Sequence, residues 1–511
     1  MRSHRPLPSV LTAWIALAAW LPAATAAAEP PAGGAPWAEL ARADLTFIHD
    51  ELAANHPGAV DPENESFGRW LEAGYRAALD KADAAESLDD VLAALRFYVA
   101  GFADGHTYLS LDYSPRWLRW PGFVASWRPS RSGGRYLVHH AASEWPTELP
   151  PVGAELVACD GRPIDRMMTE ELLPHRDGRV ELEATYVAQA PWLFARGLEK
   201  GLPKPERCTA RVDGEVRELD LAWRWHRARD LRDRIDEAAQ RSTGVGAEVG
   251  ITETAPGEHW IRLPTFDPRD ADLERMEEIV GSVAGLRNAR RIVFDVRGNG
   301  GGSSVWGSRI TEGLFGSEIY RWVGCRHAGE GAWAEWRASE KNLARVEETL
   351  PSMREKFGED SVVYDVYHRL RSDLVRAVEA GDRWVRQPEG DRDEDGSEPS
   401  CPETAPENPV AATVVLLTDG ACASACLDFA DELLLMPGVV HAGAPTSADT
   451  VYMEIRDVPL PSRLGRFSCA MKVYRNRSRG HNEPYVPAHR FGGDLADTEA
   501  LRRWVRTLPR P

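Results

Sequence analysis

An α/β fold is what this sequence predicts, and three observations carry the prediction. Two stretches, Arg291–Ser303 and Val414–Cys426, each run from an apolar strand into a tight glycine turn and on toward a helix. Ahead of them lies a helical stretch from 35 to 110. Between, from 120 to 225, the pattern changes to short strands and turns. The 511 residues suffice for about two or three such units.

The chain opens on a segment that belongs to no fold. Arg2 and Arg5 form a basic region and Val10–Leu21 an apolar one, and Ala24-Thr-Ala26 and Ala26-Ala-Ala28 are small-x-small cleavage sites. That is the pattern of a secretory signal over residues 1–28, and it predicts export to the periplasm or beyond. The apolar run is short and meets Pro22, so a membrane span is not expected after its removal, and no later stretch is long enough for one. An uncleaved anchor is the alternative. The formal net charge of −18 is spread along the chain without a basic cluster to neutralise phosphates, which argues against nucleic acid as a partner. Seven cysteines (Cys159, Cys208, Cys325, Cys401, Cys422, Cys426 and Cys469) leave at least one unpaired in an exported protein, and none has the spacing of a zinc site. Cys422 and Cys426 read as small buried residues rather than a redox pair.

Each element then has its own justification. Trp37, Leu40, Ala41, Ile48 and Leu52 recur at helical spacing. Ser87-Leu-Asp-Asp90 is a capping box opening a helix with Val91, Leu92, Leu95, Val99 and Phe102 on one face. Gly105 turns the chain, and His106–Leu111 alternates like a strand. Val152–Ile164 reads as a strand, an Asp-Gly turn and a second apolar segment, with a further turn at Val212-Asp-Gly-Glu215. This region resembles a PDZ-like module, which would add a peptide as an extra strand, though an ordinary small β-domain fits the same pattern. His259–Pro264 is a strand, and Leu273, Met276, Ile279 and Val283 mark a helix. Residues 320 to 408 read as an insertion ending in the polar tract Glu389–Pro399. Asp391, Asp393, Asp395 and Gly396 match the start of a calcium loop, but Pro402 replaces its last ligand, so a solvated loop is expected.

The two glycine turns carry the chemistry. Gly298-Asn-Gly-Gly-Gly302 lacks the Lys-Ser/Thr of a phosphate loop and the third glycine of a dinucleotide site. As a loop of bare N–H groups it suits an oxyanion. Ser424 stands after Gly420 at a helix start, where a lone serine is usually a cap. There the helix dipole also favours developing negative charge, and the N–H of Ala425 is the natural donor beside a nucleophile. By residue type its base is one of His106, His441, His481, His489 or Lys472. Trp306 and the other tryptophans read as packing.

The strand with Asp-Val-Arg-Gly-Asn-Gly-Gly-Gly, the later Ala-Ser-Ala turn and the closing Glu483-Pro-Tyr-Val-Pro487 together resemble the S41 peptidases, the C-terminal-processing and tricorn-type serine proteases. The likeness runs from about 255 to 505 and more loosely before it. The processing type has a lysine roughly 25 residues after the serine, whereas Thr446–Tyr452 holds none and Lys472 is too far along. The tricorn type takes a histidine from the N-terminal region and a glutamate roughly 60 residues past the serine, and Asp104-Gly-His-Thr107 and Asn482-Glu-Pro484 match both. The resemblance thus implies Ser424 as nucleophile, His106 as general base, Glu483 as its orienting acid, and Gly301 and Ala425 as oxyanion donors. It implies a crotonase- or ClpP-like ββα spiral core over 250–511, with a helical domain at 35–115, the PDZ-like module at 120–225, no metal or organic cofactor, and a peptide or protein substrate. A non-catalytic peptide- or ligand-binding protein and a serine esterase are the alternatives on the same fold.

Overall fold

The computed structural model describes residues 37–113, 115–130, 133–196, 204–239, 248–327, 332–388 and 404–509. The signal segment 1–28 and the tract with Asp391, Asp393 and Asp395 lie outside the described residues. Helix α1 (Trp37–Asn55) buries Ala41, Ile48 and Leu52 of the stripe its periodicity marks, together with Leu45. After α2 (Glu65–Asp83), Ser87 caps α3 (Leu88–Ala100) by accepting the N–H of Asp90. The next segment is a strand only over Leu109–Leu111 (β1). Its first residues are instead held in a turn by Asp104, whose carboxylate accepts the His106 N–H and the Thr107 hydroxyl.

The middle region contains β2 (Trp117–Trp120), β3 (Phe123–Ser130), β4 (Gly133–Ala141), β5 (Glu155–Cys159), β6 (Arg162–Pro163), α4 (Ile164–Arg166), α5 (Glu183–Gln189), β7 (Arg207–Val212), β8 (Glu215–Asp220), β9 (Arg224–Arg227) and α6 (Ala228–Ala238). Strands β3-β4-β5-β7-β8 form an antiparallel sheet with its own apolar core. Both Asp-Gly turns fall where expected, with Asp160, Gly161, Asp213 and Gly214 all at positive φ, the geometry a two-residue hairpin requires. Cys159 and Cys208 face each other across β5 and β7 and are disulfide-bonded. Strands β2 and β9 pair apart from this sheet as a two-stranded ribbon.

The third region begins with β10 (Gly250–Ala255), β11 (Glu258–Arg262), α7 (Ala271–Ser282), β12 (Arg291–Asp295) and α8 (Val305–Phe315). The expected insertion supplies α9 (Ser317–His327), β13 (Trp333–Arg337), α10 (Glu340–Phe357), α11 (Val362–Ala380) and β14 (Trp384–Arg386). Then come β15 (Thr413–Thr418), α12 (Ala425–Leu433), β16 (Val439–Gly443), β17 (Tyr452–Pro459), β18 (Gly465–Arg475), β19 (His489–Arg490) and α13 (Thr498–Val505). The sheet β10-β11-β12-β15-β16-β19 is parallel from β11 onward. Its central strands β12 and β15 are buried along their whole length, as parallel strands covered on both faces must be. A second sheet, β1-β18-β13-β14 with β17 also on β18, packs against α1–α3 through Tyr452, Phe467, Cys469, Ala470 and Val473. The inserted residues therefore build into this sheet rather than standing away from it.

Candidate active site

Register brings the two glycine turns together. Asp295 at the end of β12 pairs with Leu417 of β15, so both chains leave the sheet at one edge and level. Asp419, buried, accepts the N–H groups of Gly298 and Ala421, and the Asn299 carbonyl accepts that of Ala423. The loops are so close that a Cβ on Gly301 would stand 2.7 Å from Ser424 Cβ and 3.0 Å from the Ala425 nitrogen. Gly301 is also at φ 106°, so only glycine fits there on either count. Arg297 of the same motif has a structural role. Buried, it donates to Asp295 at 2.6 and 2.8 Å and to the Leu495 carbonyl, tying the strand to the start of α13.

Ser424 is the residue immediately before α12, and its backbone is strained, at φ 54° and ψ −126°. A non-glycine residue at positive φ costs about 1–3 kcal/mol and persists only where its surroundings hold it. Here the hold is specific: the Ser424 N–H donates to Asp449 Oδ2 at 2.7 Å. The same strained strand-to-helix turn is how α/β hydrolases present a nucleophilic serine.

His106 reaches the serine. Its Nε2 lies 3.4 Å from Ser424 Oγ, a separation usual for a nucleophile and base without substrate. Asp104 fixes the histidine from behind through the His106 N–H, and Thr450 and Thr107 donate to the same carboxylate. Burial alone would raise the Asp104 carboxyl, but the His56 imidazole, 3.7 Å away, and the nearby His106 ring hold it far below the usual carboxylate range.

The other sequence-derived candidates separate. Glu483 does not reach His106. It is exposed, and its Oε2 accepts the Gly480 N–H at 2.7 Å within its own turn. His106 Nδ1 is buried without a hydrogen-bond partner. The Glu483 loop is nevertheless close, since Asn482 donates its N–H to the Asp449 carbonyl and its Nδ2 to that of Ala103. The Gly301 N–H is given to Asn299 Oδ1 at 2.8 Å. Lys472 is buried in β18 beside Glu454, His441 bonds Thr418 and is lowered to about 4 by burial, and His489 lies on β19. Cys422 and Cys426 correct the sequence reading: they form a disulfide that brackets Ser424, because the tight turn through Ser424 into α12 brings their Cα atoms to 5.3 Å. Cys469 is free and buried.

Two contributors were not foreseen. Asp449 stands in the stretch searched for a lysine, and its place there was the available signal. Arg179, from the middle region, donates to the Ala448 carbonyl at 2.8 Å while bonded to Asp177, and nothing in the local pattern marks it.

No family model matches the chain, and no curated protein matches it. Among solved structures, mature CPAF aligns over 91% of this chain and 96% of its own, at 15% identity and a TM-score of 0.58. The fold is like that of mature CPAF. Mature CPAF complexed with lactacystin gives 0.59 at 16% identity, covering 91% of this chain and 97% of that one. A CPAF point mutant gives 0.59 at 14%, covering 92% and 96%. The likeness is one of fold, over nearly the whole of both chains.

The helix behind the serine carries a buried acid. Desolvation pushes Glu432 of α12 up to about 8, against the opposing hydrogen bond from the Ser308 hydroxyl, and Asp428 and Asp431 push the same way as burial. A carboxyl raised by folding favours the folded state below its unfolded value, and that contribution drains away as pH climbs to the folded value. Glu432→Gln is therefore expected to gain on the parent as pH rises from about 5 to 8, at up to about 1.4 kcal/mol per pH unit. Urea melts at the two pH values check it, and parallel curves for both proteins would refute it.

Proposed function

We propose that this protein is an exported serine peptidase, cleaving peptide bonds through an acyl-enzyme. The observation that carries the reading is the approach of His106 Nε2 to within 3.4 Å of Ser424 Oγ, at a strained turn beside a glycine loop. In this reading Ser424 attacks the peptide carbonyl while His106 takes its proton and later returns it to the leaving amine. The oxyanion faces the Ala425 N–H beside the glycine loop; the N–H groups of Ser424, Gly298 and Gly301 are already committed to Asp449, Asp419 and Asn299. Glu483 is assigned the third role on its place after the serine. To orient the imidazole its carboxylate leaves the Gly480 N–H for the partnerless Nδ1 of His106, directly or through a water. The chain would then be an S41-type enzyme of the Ser-His-Glu kind, with a crotonase-like spiral over 250–511, an N-terminal helical domain and a PDZ-like module at 120–225. Residues 1–28 would be removed on export.

One observation favours a second reading, a non-catalytic binding protein on the same fold: His106 Nδ1 has no partner to set its tautomer. Mass-spectrometric mapping of cuts in a mixture of unfolded proteins separates the two. Cuts made by the mature chain and absent with Ser424→Ala are expected. Cuts that persist in the mutant would remove Ser424 from the role, and no cuts by either form would favour binding.

A further inference from the structure

The ribbon of β2 and β9 carries a surface unlike the rest of the molecule. Leu118 and Trp120 face inward against Leu231 and Ile235 of α6. Alternation therefore turns Trp117 and Arg119 outward, where they oppose Arg227 and Trp225. Trp117 and Trp225 are 50% and 53% exposed, and with Tyr113 they are the exposed aromatic residues among those described. The Arg119 guanidinium lies over the Trp225 ring at 4.6 Å. Neither Arg119 nor Arg227 has a carboxylate partner among the described residues, nor do the adjoining Arg116 and Arg224. In a chain of net charge −18 this is an isolated basic, aromatic face.

The ribbon also has an open edge. Ala228 N–H donates to the Arg116 carbonyl, which fixes the phase of the ladder. By alternation the N–H and C=O groups of Arg119 point to the outer side of β2, where Arg196 takes both. The N–H and C=O of Trp225 and the N–H of Arg227 point to the outer side of β9, while the Arg227 carbonyl, at the N-cap of α6, is taken by the helix; β9 pairs with β2 alone among the described residues. Charges by themselves would protect an edge from aggregation, but half-exposed tryptophans would not.

We propose that β9 is a docking edge for an extended acidic segment of a protein substrate. The segment adds as a strand along Trp225 and Arg227, lays its apolar side chains on Trp117 and Trp225, and sets its carboxylates against Arg119 and Arg227. Exposed tryptophan and arginine without acidic neighbours are the composition of an interface hot spot, and the open ladder selects a peptide over other anions. The docking would serve the peptidase reading by raising the local concentration of the substrate.

Binding is read on full-length Ser424→Ala protein, so that it does not depend on turnover. The probe is a fluorescent peptide repeating Glu-Ser-Val-Ser, so that glutamate and valine fall on one face of an added strand, compared with its glutamine counterpart. The expected result is binding at least about tenfold tighter for the glutamate peptide, falling with salt. Arg119→Gln with Arg227→Gln abolishes that preference while leaving turnover of short neutral peptides by the active enzyme unchanged. Arg119→Glu with Arg227→Glu transfers it to the lysine counterpart. Equal binding of the glutamate and glutamine peptides would overturn the proposal. So would unchanged binding by the glutamine variant, or occupation of the face by anionic vesicles or a second copy in place of the peptide. Should the glutamate peptide bind through these arginines while no substrate is ever cut, the docking edge stands and the peptidase reading falls.

Discussion

Replacing His106 by alanine is expected to lower kcat/KM by about 10³-fold or more, and adding Ser424→Ala to lower it little further. The two residues are 318 apart in sequence and meet at 3.4 Å because register and packing bring them there. The His106 turn is pinned by Asp104 and by Ser468 of β18, whose hydroxyl donates to the His106 carbonyl. The serine turn is pinned through Asp419 and Asp449. Groups that move one proton in one step fail together, so the losses do not multiply. If instead the double variant were slower by the product of the single losses, the pair would be acting independently and the assigned roles would be wrong. Glu483→Gln should cost less than His106→Ala, because its carboxylate rests on Gly480 and need only reach Nδ1 during the reaction. Steady-state kinetics on a peptide identified by cleavage mapping gives all three numbers.

The legible parts of the chain were those whose cause is local. The helical stripe of Trp37–Leu52, the Ser87 cap and the two Asp-Gly hairpins follow from side-chain spacing and from which residues tolerate positive φ, and they form where expected. So did the pairing of a glycine loop with a serine turn, because buried parallel strands announce themselves as unbroken apolar runs. Contacts set by tertiary packing were not legible. Cys422 and Cys426 are four residues apart whether or not they bond, so spacing could not separate a disulfide from two small buried thiols. Arg179 reaches the Ala448 carbonyl from a region with its own core, and its ion pair with Asp177 looks like any surface pair in sequence. The ribbon escaped for the same reason. Arg116 and Arg119 are far from Arg224 and Arg227 along the chain, and only strand pairing gathers them into one face.

The second large effect is expected at Asp449. It is 3% exposed and accepts the Ser424 N–H at 2.7 Å, while its carbonyl takes the N–H of Asn482, next to Glu483. One residue thus fixes the Ser424 turn and the loop carrying Glu483. Asp449→Ala leaves a buried N–H without an acceptor, at a residue whose φ is already unfavourable. A stability loss of about 1–3 kcal/mol follows from the orphaned donor alone. Relaxation of Ser424 toward ordinary φ would swing Oγ away from His106 Nε2, and misplacement by about 1 Å costs about 10²-fold in rate. The loss should fall on kcat rather than KM, because Asp449 holds the serine and not the substrate. Asp449→Asn separates hydrogen bond from charge. Its amide oxygen can still accept the Ser424 N–H, so stability and most of kcat should return if the bond is what matters. If the carboxylate's charge is what matters, Asn and Ala variants should fall alike in kcat while only Ala loses stability. A wild-type kcat for both would mean that the strained turn holds without this anchor, leaving the Cys422–Cys426 disulfide and the bonds through Asp419 to maintain it.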